Sequence, residues 1–551
     1  MKIKLEMKKM PGNVSDGSTV TTSLTGRALM HAYLIGGGIA SLASAAYLIR
    51  DGQLPGSNIH IFEEMDLNGG SLDGNGSPDG GYYMRGGRMF EEHYGCTLDL
   101  FSFIPSLTDP SKTVKDEIVE FSKDHRTHAK ARLTADGKKV DMSTLGLSEK
   151  DRLDLIKLMA LPEDSFGTQR IEDYFSRDFF NTNFWHFYCT TFAFEPWHSL
   201  VEFKRYLIRF VHLFPNDGLK ALTGVWRSPY NQYDSLVLPL LRWLREQGVN
   251  FELNVQVTDL GFIHTAAGKT VEKIHLVREG KTQVITSGNE DLVFVTNGSM
   301  TAGSRFGSMD AAPALGTKYD GGSWMLWETI ARNNPEFGRP SVFDDHINES
   351  KWESFTVTFY NPLFFDLMEK FTGNPAGTGG LVTITDSNWL MSVVLAHQPH
   401  FINQPLHLQV CWGYGLFPDA KGNFVNKKMS DCTGREILIE LLSHLHFMDD
   451  MEKIISTSKC IPCMMPFITS QFLPRARGDR PPVIPQGAAN IAFIGQFCEI
   501  PDDVVFTVEY SVRSAQTAVY SLLHLNKEVT PVYKGQHNIG ILFDAFRTLQ
   551  S

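Results

Sequence analysis

Residues 32–49 read AYLIGGGIASLASAAYLI. Two folds compete for this stretch. It runs 18 residues without a charge, close to the shortest apolar length that crosses a bilayer. It also divides into a short strand at 32–35, a turn at Gly36-Gly37-Gly38, and a helix at 39–51 with Ala and Leu at helical spacing. Three consecutive glycines suit a turn and fit badly with a membrane span. A second strand at 58–62 follows and ends in Glu63-Glu64. Strand, turn, helix and strand make a βαβ opening.

The turn carries chemistry. Gly36-x-Gly38-x-x-Ser41 stands between strand and helix. The first glycine allows the tight turn, and the second lets backbone approach a pyrophosphate. The small third residue lets helix and strand pack closely. The phosphates then rest on the helix N-terminus. Glu63 lies 25 residues after Gly38, where an acid accepts hydrogen bonds from both adenosine ribose hydroxyls and disfavours a 2′-phosphate. A strand at 249–257 and the Thr296-Asn297-Gly298-Ser299 turn repeat a pattern of large flavoproteins, in which a middle strand touches adenine. Phe493-Ile-Gly495 fits the late strand that approaches a flavin. The competing reading is a βαβ unit with no ligand.

Outward from this unit, the chain reads as α/β: a Rossmann-like FAD-binding domain assembled discontinuously, with an inserted α+β substrate domain and helical elements. Residues 1–30 are expected as a flexible extension. Nucleotide-binding material is expected at 31–135, 236–305 and 476–525. A helical substrate or lid region is expected at 136–235, a substrate domain with a mixed sheet at 306–475, and a tail at 526–551. Residues 68–83, crowded with Gly, Asp and Ser, are expected as loop. Helices are expected at 199–213, 236–247 and 511–523.

Composition limits the alternatives. Of 551 residues, 42% are hydrophobic and 21% charged, which excludes disorder, collagen and coiled coil as the main state. Lys and Arg number 51 against 62 Asp and Glu, a net charge of −11, so nucleic acid is not the expected partner. Seven cysteines in this length exclude a disulfide scaffold and favour a reducing, cytoplasmic setting. The N-terminus has early lysines but no apolar run of the kind a signal peptide needs.

Other motifs leave alternatives open. Cys460-Ile-Pro-Cys463 is a lone CxxC without a second pair, so core thiols or a redox pair are expected and zinc is not. Arg475-Ala-Arg477-Gly-Asp-Arg480 reads as an anion holder or a solvated loop. Arg85-Gly-Gly-Arg88 reads as backbone folded around an anion or flavin, or as a surface turn. On a helix at 199–213, Glu202, Tyr206 and Arg209 share one face, so Tyr206 is either a proton donor among arginines or a packed ring.

Eight colinear runs resolve the pattern further. They are Tyr33-Leu-Ile-Gly-Gly-Gly-Ile-Ala-Ser-Leu42, Ile61-Phe-Glu-Glu64, Gly69-Gly-Ser-Leu-Asp-Gly74, Met84-Arg-Gly-Gly-Arg88, Phe192-Ala-Phe-Glu195, Asn231-Gln-Tyr-Asp-Ser235, Asp386-Ser-Asn-Trp389 and Val505-Phe-Thr-Val-Glu-Tyr-Ser-Val-Arg513. Together they resemble the oleate hydratases, the FAD-binding fatty acid hydratase family once called myosin-cross-reactive antigens. The resemblance implies hydration of a cis-9 double bond, turning oleate into 10-hydroxystearate, with FAD bound and no net redox. It implies Tyr206 as proton donor to the alkene and Gln232 in the substrate pocket. Cofactor contacts are expected from Gly36, Gly38, Ile39, Ala40, Ser41, Glu63, Glu64, Ser71, Arg88, Val257, Asn297 and Ser299. No metal ligand is expected. Flavin oxidoreductase and non-catalytic lipid-binding flavoprotein are the rival readings. A peripheral membrane contact stays open, as do monomer and homodimer.

Three departures from the family stand out. The family carries Glu after the second Arg of RGGR, where it activates water; here the residue is Met89, with Glu91 and Glu92 nearby in sequence. A Thr-x-Asn pair that holds the substrate carboxylate appears as Val394-Leu-Ala396, leaving His400 or Arg477 to take over. The tail after the last helix is unusual.

Overall fold

The computed structural model describes residues 29–215 and 217–550. All but the last two residues of the expected 1–30 extension lie outside the described residues. Five strands, β1 (Ala32–Ile35), β2 (Ile59–Glu63), β3 (Asn250–Leu253), β4 (Leu292–Thr296) and β5 (Ile491–Ile494), form a parallel sheet in the order β5-β4-β1-β2-β3. Strands from three distant parts of the sequence therefore make one sheet, the discontinuous Rossmann-like assembly expected from the sequence. β1 is buried on both faces, as a central parallel strand requires. Its charge-free continuation is a turn and the helix α1 (Ile39–Arg50). Among the described residues no helix is long and apolar enough to cross a membrane.

A helical layer precedes β3. In α2 (Asn183–Phe192) the Thr182 hydroxyl accepts from the Trp185 N–H at 3.1 Å. In α3 (Leu200–Arg209) Ser199 caps Glu202 in the same way at 3.4 Å. Such caps each contribute about 1 kcal/mol. The expected 199–213 helix ends at Arg209 and continues only as a 3₁₀ turn, Val211–Leu213. The 236–247 helix is α4 (Leu238–Glu246), entered through a π turn at Tyr233–Val237. The late helix α5 (Val508–Leu522) packs against α1.

Two expectations need correction. The strand at 249–257 is broken at Asn254, whose φ of 57° turns the chain out of the parallel sheet. It continues as Val255–Thr265 in a three-stranded ribbon with Gly268–Arg278 and Lys281–Thr286. A two-residue turn at Glu279 and Gly280, both with positive φ, closes the last hairpin. The Gly-rich 68–83 segment is not all loop. Gly74–Ser77 and Gly81–Met84 pair as a hairpin.

That hairpin lies on an eight-stranded mixed sheet whose longest strands are Trp352–Phe359, Gln409–Gly415 and Ser458–Met465. Thr358 and Thr356 hydroxyls accept from the N–H groups of Tyr82 and Met84 at 2.9 and 3.2 Å. These bonds fix where Arg85-Gly-Gly-Arg88 leaves the sheet.

Candidate active site

A groove of about 430 Å³, the candidate nucleotide groove, opens at the carboxyl ends of the parallel strands. Gly36, Gly38, Ile39, Ala40, Glu63, Glu64, Ser71, Val257 and Ser299 line it. α1 has no side-chain cap at Gly38, so its first N–H groups face the groove. A Cβ on Gly38 would meet nothing within 4 Å; on Gly37 it would lie 2.2 Å from Asn68 Oδ1. The space beside Gly38 and the free helix end fit a pyrophosphate. Glu63 Oε2 accepts from the Gly37 N–H at 2.6 Å and Oε1 from the Met65 N–H at 2.9 Å. Burial pushes its pKa up, against those two hydrogen bonds.

Three expected cofactor residues do not line the groove. Ser41 is buried with its hydroxyl 3.3 Å from Thr296 Oγ1, where it serves the close packing of α1 on β4. Asn297 is buried with both amide atoms unpartnered. Arg88 faces two other cavities.

Those cavities flank residues 87–89, which border both. The first, about 90 Å³, is walled by Tyr188, Phe192, Tyr206, Phe210 and Phe506. The second, about 80 Å³, is walled by Gln232, Val394, Ala396, His400, Trp412 and Arg227. Sequence reasoning thus placed Tyr206 with Met89, and Gln232 with His400. It missed Arg227, which stands four residues before the Asn231-Gln-Tyr-Asp-Ser235 run, and Phe506, inside the quoted 505–513 run.

Tyr206 is buried, with ring neighbours Phe192, Phe194, Phe210 and Phe472 at 4.9–5.7 Å. Its hydroxyl donates to the Val505 carbonyl. Burial first, then the negative charge available at Tyr94 and Glu202, pushes its pKa well above the phenol range, so it keeps its proton. The next residue, Phe506, has φ 70°, a strained conformation for a bulky side chain. Its N–H donates to Gln496 Oε1, and Gln496 Nε2 donates to Thr507 O at 2.9 Å. Gln496 itself lines the nucleotide groove.

Glu202, Tyr206 and Arg209 do not act together. Glu202 pairs with Arg475 and Arg480, each at 3.0 Å. Arg475 and Arg480 are buried, neutralised by Glu202 and Glu499, so this cluster is neither a solvated loop nor a free anion holder. Arg477 is exposed and lines neither cavity. Arg209 pairs with Glu91 at 2.6 Å.

Glu91 lines the first cavity but is fully engaged. Its other oxygen lies 2.8 Å from His93 Nδ1 and 3.2 Å from His212 Nε2. Burial opposes ionisation, but His212, His93 and Arg209 together hold the carboxyl well below the usual range. Such a group is a poor base. Glu92 is exposed and lines neither cavity. Met89 therefore has no free carboxylate standing in for it among the described residues.

In the second cavity His400 is neutral: burial, then the positive charges of His397 and Arg227, push its pKa down to about 3. Gln232 Nε2 donates to Arg88 O at 3.3 Å. Cys460 and Cys463 are buried free thiols on one strand, pushed up by burial, Cys463 to about 12. They are core residues.

Wild-type putrescine oxidase bound to putrescine superposes with a TM-score of 0.51 over 90% of this chain and 99% of that one, at 11% identity, a likeness of fold alone. An oleate hydratase from Streptococcus pyogenes serotype M49 (strain NZ131) is 43% identical over 529 residues, 94% of this chain and 89% of the relative. A linoleate hydratase from Lactiplantibacillus plantarum is 34% identical, covering 89% of this chain and 93% of the relative. The MCRA family profile matches residues 30–520. The chain belongs to the MCRA family.

Proposed function

We propose that the chain is a fatty acid hydratase, a hydro-lyase that adds water to the cis-9 double bond of oleate to give 10-hydroxystearate, with FAD in the nucleotide groove and no net redox. The observation that carries this reading is the placement of Tyr206. A protonated phenol stands in an aromatic-walled cavity that shares residues 87–89 with a second cavity whose lining is mostly apolar, walls that suit an acyl chain. The names of the two relatives support the substrate class.

An isolated alkene is a very weak base, so the acid must be preorganised and kept dry. Tyr206 gives its proton to C9, and positive charge develops at C10 beside ring faces that attract it. Water adds at C10 from the opposite side. The proton that water loses returns through solvent to the Tyr206 phenolate, which balances the reaction without a carboxylate at position 89. In the groove, Gly38 and the first turn of α1 would hold the pyrophosphate and Glu63 the ribose. Bound FAD supplies an electron-rich ring that favours nearby positive charge.

One observation favours a second reading. With Met89 at the junction and Glu91 locked in ion pairs, the chain fits a flavin- and lipid-binding protein without turnover. Purified protein incubated with oleate and FAD in deuterated water separates the two. The hydratase gives a hydroxy acid with one carbon-bound deuterium and consumes no oxidant or reductant; unchanged oleate supports the second reading, and a dienoic product overturns both.

A further inference from the structure

The second cavity has an unusual inventory of polar groups. Arg227 spends its terminal nitrogens on two backbone carbonyls, Gly377 at 3.4 Å and Gly379. No carboxylate pairs with it among the described residues. Its own backbone is clamped by Ser122, whose hydroxyl accepts from the Arg227 N–H and bonds its carbonyl, both at 3.2 Å. The guanidinium is therefore held in place with its charge unneutralised. His400 Nε2 and Trp412 Nε1, on the same walls, are buried and unpartnered. No acidic residue among the described residues lines this cavity, and Val394, Ala396, Leu381 and Met84 are among its apolar walls. Arg88 also borders it, but its guanidinium lies over the Phe506 ring of the first cavity and reaches Met300 Sδ of the groove at 3.9 Å.

A fixed cation, an indole N–H and an imidazole nitrogen facing an apolar chamber make a cradle for an anion attached to hydrocarbon. An unpaired buried cation is costly, and a ligand carboxylate removes that cost. We infer that the second cavity seats the fatty acid carboxylate and that Arg227 is its counter-cation, which compensates for the apolar Val394 and Ala396 facing it. The inference rests on the hydratase reading for its substrate. Burial pushes the Arg227 pKa down only to about 10, so it stays charged at neutral pH. Held there by its carboxylate, the acyl chain passes Met89 and reaches Tyr206 in the first cavity.

Equilibrium dialysis of the full-length, FAD-loaded protein against stearate and against methyl stearate, which carry no double bond to hydrate, tests this without turnover. The wild type should bind stearate about 10- to 100-fold more tightly than the ester, the range expected of a charge-assisted contact. Arg227→Gln should bring that ratio close to one by weakening stearate alone, and Arg227→Lys should keep an intermediate ratio. A wild-type ratio near one overturns the inference whether or not the variants fold, and so does a wild-type ratio in Arg227→Gln. Absence of hydroxy product in a parallel assay counts against the hydratase reading and leaves the binding ratio to decide this one.

Discussion

Glu91 and Arg209 form a 2.6 Å ion pair that ties the segment carrying Met89 to the helix carrying Tyr206. Both side chains are almost wholly buried. Breaking such a pair strands a charge and costs about 3–5 kcal/mol. Glu91→Gln should lower the midpoint of thermal unfolding at pH 7 accordingly. Because the folded pKa of Glu91 is depressed, its stabilising contribution is complete above the unfolded value of 4.5 and is lost as pH falls below that. The gap in stability between wild type and Glu91→Gln, measured by denaturant titration, should therefore narrow on acidification below about pH 4.5. A gap that widens there contradicts the ion-pair account.

Tyr206→Phe keeps the ring and its neighbours and removes the proton and its bond to the Val505 carbonyl. General acid catalysis contributes about 10²–10⁴-fold. Hydration of oleate should fall by about that factor while flavin content after purification stays unchanged. Near-normal turnover removes Tyr206 from the mechanism.

Met89→Glu restores a carboxylate at the junction of the two cavities, next to Arg88, which has no acidic partner among the described residues. A carboxylate both orients water and accepts its proton, and a thioether does neither well. The hydration rate should rise by about tenfold or more, with Met89→Leu close to wild type as the volume control. If Met89→Glu and Met89→Ala are both silent, residue 89 is not at the reacting carbon.

Neighbouring glycines should fail in different ways. Gly38→Val directs its side chain into open groove, so the protein should fold with a near wild-type melting point and purify without flavin. Gly37→Ala drives a methyl onto Asn68 and Glu63, so it should lose about 1–3 kcal/mol of stability before cofactor is considered. Glu63→Ala should weaken flavin retention as well. Calorimetry beside flavin absorbance reads both effects; a flavin-replete Gly38→Val places the pyrophosphate elsewhere.

Local pattern made much of this legible. The 32–64 stretch specified strand, turn and helix through glycine spacing and burial, and distant strands such as 292–296 and 491–494 announced themselves as short apolar runs. Tyr206 was visible as one tyrosine on an aromatic-rich helix. What stayed hidden depended on long-range partners. Nothing local distinguishes Arg477, exposed, from Arg480, buried against Glu202 from 278 residues away. The helical spacing of Glu202, Tyr206 and Arg209 was real, yet each found a partner on a different element. Arg227 reads as an ordinary surface arginine until the 377–379 loop and Trp412 close around it. The break at Asn254 was present in sequence, but the apolar periodicity of 249–257 outweighed it.

Residues 83–89 touch every compartment: Tyr83 and Arg85 the groove, residues 87–89 both cavities. A change of size or charge there therefore reaches more than one compartment. A substitution that reshapes one compartment shifts the wall of the next, so effects on cofactor retention, chain-length preference and rate will be non-additive across this stretch. Variation that alters substrate range independently belongs on the outer walls, at Leu219 and Val225 on one side and Leu381 and Val394 on the other.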